Sequence, residues 1–503
     1  MAVRRLDSLH DPERAFVHLY GRSPNAFWLD SSAAGERGRF SFMGDSEGPL
    51  AAVATYDGAL GEVRVGRGGG VEVRVESIFE YLGRELAQLC QPSADLPFDF
   101  NCGFAGYLGY ELKAECDGAA AHLAPTPDAA VILADRLIAF DHQEHHTYLL
   151  ALAELPSELH QPHHPADRKV DAVWLRAGAE RWIEETAGGL AALPALPAPQ
   201  FEAAPALFPR RSRRRYREDI EACKRYLTAG HSYEICLTNT FETETQTDPL
   251  DLYRALRRGN PAPFAAYLRF GDLAVLSSSP ERFLSVDRDG GAEARPIKGT
   301  SRRGANPAED ARLAAELRSG EKSQAENVTI VDLLRNDLGR VCETGSVEVP
   351  ELMTVESYET VHQLVSSVCG RLRPELGPLD AVRACFPPGS MTGAPKRRTM
   401  EIIDELEGAA RGVYSGAIGW FDAGGACDLS VAIRTIVAEA GKTTIGAGGA
   451  IVVDSDPDEE IAEMLLKAAA PAAALGRGAS ISFASAAAPD DSERRPLSPT
   501  PTS

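Results

Sequence analysis

The chain has 503 residues, and 52 Lys and Arg against 73 Asp and Glu give it a formal net charge of −21. This length predicts two or three domains or one large composite α/β body. The acidic balance argues against nucleic acid or an anionic membrane surface as the main partner. No apolar stretch approaches the roughly 20 residues of a transmembrane helix, the first residues lack the apolar run of a signal peptide, and nine cysteines without a Cys-x-x-Cys pair indicate reduced thiols. We therefore expect a soluble, cytoplasmic enzyme.

The first 150 residues alternate short β-like runs with Gly-rich turns. Residues 131–140 and 145–152 predict one β-hairpin with a polar tip. That tip carries His142, His145 and His146, which we interpret as exposed turn residues rather than as a metal site.

The next part of the chain predicts one helix, a linker and a second helix. Residues 166–190 have apolar positions at helical spacing, and 191–209 form an Ala- and Pro-rich linker. The basic run 210–215 could bind nucleic acid, but in an acidic chain a solvated linker before a helix at 216–229 is favoured. After residue 476 the composition is Ala, Ser and Pro without periodicity, which predicts disorder.

The densest secondary-structure signals follow this linker. Asn306 caps a predicted helix that ends at Gly320, a second helix spans 322–334, and a last helix spans 456–475. Between them lie predicted strands at 346–349, 363–372, 413–421, 429–438 and 443–453.

Three charged residues share one face of the last helix. Glu460, Glu463 and Lys467 stand at positions i, i+3 and i+7, a spacing that alone is typical of a solvated surface. The segment 446–450 before this helix is rich in Gly, and we expect it to end a strand and turn toward the helix. Backbone N–H groups there could approach an anion closely, although a tight hairpin corner would have the same pattern.

Glu326 is a second candidate carboxylate, at the start of an apolar helix. It could pair with Arg335 or Lys322, or it could face a site. Two carboxylates from separate helices suit Mg²⁺, which takes one or two protein carboxylates and completes its octahedron with water and substrate oxygens. Spacing alone does not show that Glu326 meets Glu463.

Two cations stand in apolar surroundings. Arg434, predicted to share a strand face with Ala432 and Ile436, needs an anion, which could be a protein carboxylate or a ligand. Lys298 is flanked by apolar and small residues. An ordinary lysine, with a pKa of about 10.4, is protonated and a poor nucleophile; desolvation or a nearby cation could free its amine for attack. An exposed turn lysine is the ordinary alternative.

Seven ordered motifs closely resemble one family, the chorismate-utilising enzymes, which include anthranilate, aminodeoxychorismate, isochorismate and salicylate synthases. The motifs lie at 230–240, 278–283, 295–300, 325–340, 386–396, 428–435 and 446–467.

The resemblance implies an α/β (α+β) fold, with two large antiparallel β-sheets in a sandwich, helices outside, and an active site opening between the sheets. It divides the chain into an N-terminal, anthranilate-synthase-like region (1–205, with the linker at its end), a chorismate-binding catalytic domain (206–475) and a disordered tail (476–503). The signature near Leu29 differs from that of relatives with a regulatory tryptophan pocket, so the resemblance does not extend to a prediction of feedback inhibition.

The resemblance also assigns roles to the candidate residues. Glu326 and Glu463 match the ligands of a Mg²⁺ cofactor, with Glu460 beside them. The groups that match substrate contacts, for the carboxylates of chorismate or for its ring, are Thr300, Tyr414, Arg434, Gly448, Gly449 and Lys467.

Lys298 decides which branch of the family the chain resembles. Anthranilate synthases usually have Ala at this position, whereas the PIKGT motif is similar to that of aminodeoxychorismate synthases. In them the lysine is thought to attack C2 of chorismate and expel the C4 hydroxyl, with the residue matching Glu281 as acid and base; ammonia then adds at C4 and releases the lysine. Water-using members have Lys at the position of Glu234, which argues against water as nucleophile; most amine-using relatives have Gln there.

Two further features bear on the product and the partner. Lyase members have His directly before Leu-Val-Ser, where this chain has Gln363 after His362, and we hypothesise that the product is not aromatised. Because no glutaminase module is recognisable, a separate glutamine amidotransferase subunit is expected to supply ammonia for 4-amino-4-deoxychorismate, the precursor of p-aminobenzoate and folate. The alternatives are an anthranilate synthase component I with an atypical lysine, or a non-catalytic scaffold for the glutaminase.

Overall fold

Alternation of apolar side chains builds two large β-sheets. The computed structural model describes residues 1–33, 38–89, 95–153, 167–201, 206–358, 361–476 and 478–483, and of 167–176 it describes the backbone only.

The helices of these ranges are α1 (Pro12–Leu19), α2 (Ile78–Gln88), α3 (Asp167–Ala191), α4 (Arg213–Thr228), α5 (Pro249–Gly259), α6 (Pro307–Ser319), α7 (Glu321–Gly339), α8 (Pro378–Cys385), α9 (Lys396–Glu407) and α10 (Pro457–Ala474). The strands of the first half are β1 (Ala2–Leu6), β2 (Asn25–Asp30), β3 (Phe40–Asp45), β4 (Ala52–Asp57), β5 (Glu62–Arg67), β6 (Gly70–Val75), β7 (Gly103–Leu108), β8 (Ala129–Ala134), β9 (Arg136–Asp141), β10 (His146–Ala151), β11 (Ala206–Pro209) and β12 (Glu234–Glu244). The later strands are β13 (Phe264–Phe270), β14 (Leu273–Ser279), β15 (Arg282–Val286), β16 (Gly291–Arg295), β17 (Ile297–Arg302), β18 (Glu348–Ser357), β19 (Val361–Arg371), β20 (Gly393–Ala394), β21 (Ala417–Asp422), β22 (Cys427–Val431), β23 (Thr435–Glu439), β24 (Lys442–Ile451) and β25 (Ser480–Ile481).

The two sheets have 13 and 12 strands in the described ranges. The first has the order β1-β10-β9-β3-β2-β13-β14-β23-β24-β12-β11-β25, with β20 beside β12; the second has the order β17-β19-β16-β15-β22-β21-β7-β8-β4-β5-β6, with β18 beside β19. Neighbours are antiparallel except β11 and β25. Strands from both sides of the predicted boundary at residue 205 lie side by side in each sheet, as β2 does with β13 and β7 with β21.

Successive side chains of a strand face opposite layers. In β2, Phe27 belongs to the core between the sheets, where its ring lies 6.3 Å from that of Phe100. The next residue, Trp28, belongs to the outer core, where it stacks at 5.3 Å on Phe16 of α1. Helices α2, α7 and α8 cover the outer face of the 12-stranded sheet in the same way. The implied fold class, a sandwich of two large sheets with helices outside, is confirmed.

Most predicted helices are confirmed within a few residues, with their caps. Asn306 caps α6 through a bond from the Glu309 N–H, and Asp456 caps α10. The basic run at 210–215 was wrongly predicted to be a linker, because Ser212 caps α4 and three of the arginines form its first turn. The predicted linker before it also contains a strand, β11. Residues 484–503 of the predicted tail lie outside the described residues, and 480–481 form β25.

Two apolar runs predicted to be single strands are divided between the sheets. The run at 131–140 forms β8 in one sheet and β9 in the other, with buried Asp135 at the crossing. The run at 429–438 likewise forms β22 and β23, with residues 432–434 at the crossing. Each run is buried on both sides, so apolar periodicity does not mark the change of sheet. The predicted hairpin is confirmed only in its second part, where β9 pairs with β10.

The histidines at the tip of that hairpin are not all exposed as predicted. His145 is exposed, whereas His142 is half-buried and its Nε2 lies 2.8 Å from the Ser41 hydroxyl. All eight cysteines within the described ranges are free thiols. No helix in this part of the chain is both long and apolar enough to cross a membrane.

Gly446 of β24 provides a test of how closely the sheets approach each other. A Cβ at this position would stand 2.2 Å from Cγ of Tyr414, so we expect Gly446→Ala to displace that ring and to lower the free energy of unfolding by about 1–3 kcal/mol. Gly188, exposed in α3 with no atom within 4 Å of its Cβ position, is the matched control. Gly188→Ala should stabilise the chain by about 0.5–1 kcal/mol in the same urea titration. Equal midpoints for the two variants would contradict this packing.

Candidate active site

A buried ion pair joins the two sheets. Lys298 lies on β17 of the 12-stranded sheet, and Glu234 begins β12 of the 13-stranded sheet. The Lys298 Nζ donates to Glu234 Oε1 at 2.5 Å, and the two residues are only 7% and 1% exposed. The ordinary alternative, an exposed turn lysine, is therefore wrong.

The charge state of Lys298 follows from its neighbours. Burial alone would lower the pKa of its ammonium group, but the carboxylates of Glu234 and Glu326 outweigh burial and raise that pKa above its ordinary value. In the resting site the amine is therefore protonated, and the lowered pKa that a free nucleophile needs is not met.

Glu281 has the opposite property, since it carries a proton near neutral pH. It is 5% exposed, and burial raises the pKa of its carboxyl group to about 7, although Ser390 and the charges of Lys298 and Lys467 oppose the rise. A carboxyl with a pKa near the working pH can donate and accept a proton in one reaction cycle.

The three charged residues of the predicted helix face, Glu460, Glu463 and Lys467, lie beside β24. A Cβ on Gly449 would stand 3.1 Å from Glu460 Oε2 and 3.7 Å from Glu463 Oε1, so both carboxylates lie beside the strand there. Lys467 donates to the Gly448 carbonyl at 3.0 Å and pairs with Glu463 at 2.7 Å. Burial would raise the pKa of the Glu463 carboxyl, but Lys467 outweighs it and lowers that pKa.

The Gly-rich segment ends a strand as predicted, but it does not itself form the turn toward α10. Residues 446–450 lie inside β24, where Gly448 and Gly449 pair with Thr238 and Leu237 of β12. A Cβ on Gly448 would stand 2.2 Å from the Leu237 carbonyl oxygen. The glycines therefore allow close approach of two strands and of the α10 carboxylates, and the turn into α10 comes after them.

Glu326 of α7 joins this cluster through Lys322. The Lys322 Nζ lies 2.7 Å from Glu460 Oε1 and 3.9 Å from Glu326 Oε1. Burial raises the pKa of the Glu326 carboxyl to about 7, with Glu463 adding to the rise and the lysines opposing it. No three His, Cys, Asp or Glu side chains of the described ranges are grouped closely enough to hold a metal ion, and a lysine ammonium lies within 4 Å of two of the three predicted ligands.

These residues nevertheless have the chemistry of a Mg²⁺ site. Glu460 is 1% exposed, and its Oε2 has no hydrogen-bond partner although Oε1 accepts from Ser455 and Lys322. That unpaired oxygen faces the side of Gly449 where a Cβ would stand. All candidate donors are carboxylate oxygens, which hard cations prefer, so Glu326, Glu460 and Glu463 match the ion in donor chemistry, though not in their present spacing.

Arg434 lies at the crossing between the sheets, not on a strand face with Ala432 and Ile436 as predicted. Its φ is 51°, a left-handed conformation that is costly for a residue with a Cβ. Burial lowers the pKa of its guanidinium, and Tyr414 and Glu463 are the nearby groups that oppose the change. Arg434 is partly exposed, and within the described ranges it forms no ion pair.

Tyr414 and Thr300 occupy different surroundings. Tyr414 is 7% exposed, packs on Gly446, and has a phenol pKa that burial raises. Thr300 is exposed on β17 and pairs in register with Gln363 of β19. His362 is buried, with Nδ1 2.7 Å from Ser357 Oγ and Nε2 2.9 Å from Asp310 Oδ1, so both ring nitrogens are engaged by residues outside the predicted site.

Reasoning from the sequence did not predict the ion-pair partners of two residues of the site. Glu234 was considered only as a replacement for a water-activating Lys, and Lys322 only as a possible partner of Glu326. Glu234 contacts a residue 64 positions away and Lys322 one 138 positions away, so no local spacing could reveal these pairs. The available signal was that Glu234 is a charged residue inside a recognisable motif and that Lys322 lies just before one.

A second cavity, of about 410 Å³, lies between the sheets and is lined by no predicted site residue. Its charged walls are paired: Arg282 binds Asp428, and Arg39 binds Asp141 through two bonds. Nothing in this cavity bears on the chemistry at Lys298.

Comparison with known proteins identifies the class. The family model for chorismate binding enzymes matches residues 27–473. The chain therefore belongs to the chorismate-binding enzyme family.

Individual relatives and a solved structure show which members of this family the chain is similar to. The chain is 50% identical over 483 residues to an aminodeoxychorismate synthase of Streptomyces pristinaespiralis, covering 94% of this chain and 65% of that relative. It is 34% identical over 477 residues to anthranilate synthase component 1 of Geobacillus stearothermophilus, covering 92% and 90%. Anthranilate synthase component I from Streptococcus pneumoniae TIGR4 has a similar structure, with a TM-score of 0.71 and 30% identity over 87% of this chain and 93% of that chain. The chain spans less than two thirds of the Streptomyces relative.

Lys322 gives a test of the acidic cluster that does not depend on turnover. We expect Lys322→Met to leave Glu460 without its cation. Because Lys322 is partly exposed, the free energy of unfolding measured in EDTA should fall by only about 1–2 kcal/mol. Mg²⁺ should then raise the melting temperature of the variant more than that of the parent chain, because the ion no longer competes with an ammonium. Lys442→Met, which breaks the exposed pair with Glu242, should show no added response; an equal response in all three chains would exclude this competition.

Proposed function

We propose that the chain catalyses the Mg²⁺-dependent amination of chorismate to 4-amino-4-deoxychorismate, the precursor of p-aminobenzoate, in the cytoplasm. A separate glutamine amidotransferase subunit would supply the ammonia. The observation that carries the proposal is the buried Lys298 next to Glu281, a carboxyl with a pKa of about 7. Family membership and 50% identity to an aminodeoxychorismate synthase support it.

Substrate binding follows from the cations of the site. Arg434, without a carboxylate partner in the described ranges, would bind one carboxylate of chorismate, with the Tyr414 hydroxyl beside it. Lys467, whose ammonium bonds to the Gly448 carbonyl, would add positive potential beside Glu463. Thr300 on β17 would contact the ring.

Glu326, Glu460 and Glu463 would hold Mg²⁺. When bound, the ion supplies charge that binds a substrate carboxylate and offsets the repulsion between chorismate and these glutamates. The chain's own contribution is to keep the α10 carboxylates, Glu460 and Glu463, beside Gly449, where a side chain would crowd them. Lys322 lies between Glu460 and Glu326 of α7.

The chemical step would use Lys298 as nucleophile. Its amine attacks C2, the two ring double bonds shift, and the bond between C4 and the hydroxyl oxygen breaks as Glu281 gives that oxygen a proton, releasing water. Ammonia then adds at C4, the double bonds shift back, and the bond between C2 and the lysine nitrogen breaks. Glu281 recovers a proton from the new amine. The sum is chorismate plus ammonia giving 4-amino-4-deoxychorismate and water.

An anthranilate synthase is the second candidate, because the chain is 34% identical to one over most of both lengths. Lys298 and the engaged ring of His362 favour the first. A scaffold without activity would not need a buried lysine, a carboxyl with a raised pKa and an arginine that has no ion-pair partner in the described ranges.

The product decides between these candidates. With chorismate, Mg²⁺ and ammonium, we expect 4-amino-4-deoxychorismate by liquid chromatography and mass spectrometry. We expect Lys298→Ala to abolish its formation while chorismate still binds in calorimetry. The exposed Lys442→Ala is the control. Anthranilate as the main product, or unchanged turnover by Lys298→Ala, would refute the proposal.

The raised pKa of Glu281 predicts a pH profile. A general acid must be protonated, and this carboxyl is protonated below about 7 where an ordinary glutamate, at 4.5, is not. We therefore expect kcat/KM to fall by about tenfold per pH unit above that value. Glu281→Gln should lose about 10²-fold or more at every pH, whereas Glu221→Gln, exposed on α4, should keep the parent profile. If the fall in kcat/KM above about pH 7 persists unchanged in Glu281→Gln, that fall belongs to the titration of another group.

A further inference from the structure

We infer that Glu234 is a catalytic residue of this chain: it takes a proton from the Lys298 ammonium as the amine attacks the ring, and it returns that proton when the lysine is expelled. This inference rests on the proposed function of Lys298 as nucleophile. It gives a role to a residue that stands where relatives of the same type mostly have Gln.

The first support is contact with the reacting atom. Glu234 Oε1 lies 2.5 Å from Lys298 Nζ, and this is the one hydrogen bond of that nitrogen within the described ranges. An ammonium has no lone pair and cannot attack carbon, so a proton must leave Nζ before the bond to C2 forms. The group at hydrogen-bond distance is the group that can take it.

The second support is an unused oxygen. Glu234 is 1% exposed, and its Oε2 is buried without a hydrogen-bond partner. Leaving a charged oxygen unpaired in the interior is costly, whereas a protonated carboxyl would reduce that cost. A buried carboxylate that is only half satisfied is suited to hold a proton for part of a reaction cycle.

The other titratable groups around Lys298 have different positions or tasks. Glu281, Glu326 and Glu463 feel the charge of Lys298 but do not hydrogen-bond to its nitrogen. Burial raises the pKa of the neighbouring Cys236 thiol, so it is no base at neutral pH. Lys467, the nearby cation on α10, has no proton-accepting capacity.

The proton balance closes over one cycle. Lys298 gives one proton to Glu234, and the neutral amine forms its bond to C2 as the C4 hydroxyl leaves with a proton from Glu281. The C2 adduct is a secondary ammonium. When ammonia adds at C4, the bond from C2 to nitrogen breaks, the lysine leaves as a neutral amine, and the proton on Glu234 returns to it. The pair is then restored.

Glu234→Gln tests the inference, because it keeps the size of the side chain and removes the base. In the parent chain the proton stays within the pair, so we expect kcat on chorismate and ammonium to be flat across the neutral range apart from the Glu281 limb. In Glu234→Gln we expect kcat near pH 7 to fall by about 10²-fold, since solvent must now remove the proton. Below pH 7 kcat of this variant should rise by about tenfold per pH unit, and above pH 7 it should level off, because the Glu281 limb cancels the rise. Glu244→Gln, exposed at the far end of β12, is the control.

A second measurement does not depend on turnover. Without substrate, Lys298 should react more slowly with acetic anhydride at pH 7 in Glu234→Gln than in the parent chain, as measured by peptide mass spectrometry, because the pair can no longer supply the neutral amine by passing a proton to Glu234. Faster labelling would mean that the carboxylate only holds the ammonium group in place. Parent-like kcat and pH profile in Glu234→Gln, or unchanged labelling of Lys298, would overturn the inference. If Lys298→Ala keeps its turnover, the proposed function fails instead, and the labelling result still reports on the pair.

Discussion

The site depends on charges that are buried in pairs between two sheets. Lys298 and Glu234 come from different sheets, and neither could be buried alone without a cost of several kcal/mol. A second buried pair, Arg411 with Glu407, contacts the strand that carries Glu234, β12. The Arg411 guanidinium donates a hydrogen bond to the Cys236 carbonyl of that strand. Each pair holds its two structural elements at a fixed distance and compensates both charges, so the space between the sheets keeps its shape.

Periodicity and capping predicted most elements because those signals are local. The helices α6, α7 and α10 begin within a residue or two of their predicted caps, and the glycines of β24 stand in a run that was recognised as β-like. The division of two apolar runs between sheets was not predictable, since a strand that crosses a sandwich is apolar on both sides of the crossing. Arg434 was misplaced for that reason.

The candidate site divides in the same way. Residue types and motif resemblance identified Lys298, Glu281 and the carboxylates of α7 and α10, whose separate chemistry is visible in the sequence. Their charge states were not visible, because each depends on a partner from a distant part of the chain. Lys298 was expected to need a lowered pKa and instead has a raised one, as Glu234 holds its proton. Arg434 could have had a protein partner, and the described residues provide none.

Strands from the two halves of the chain are neighbours in both sheets, and this order has a consequence for folding during translation. β2 and β7 are interior strands whose partners, β13 and β21, come later in the chain. Roughly 300 residues separate β7 from β21, which is about 15 to 60 s of translation at about 5 to 20 residues per second. During that time the edges of β2 and β7 that will pair with β13 and β21 lack these partners. Pairing of these strands can therefore be completed only after the second half of the chain has been synthesised. The need for chaperones follows from this strand order rather than from the composition of any one segment.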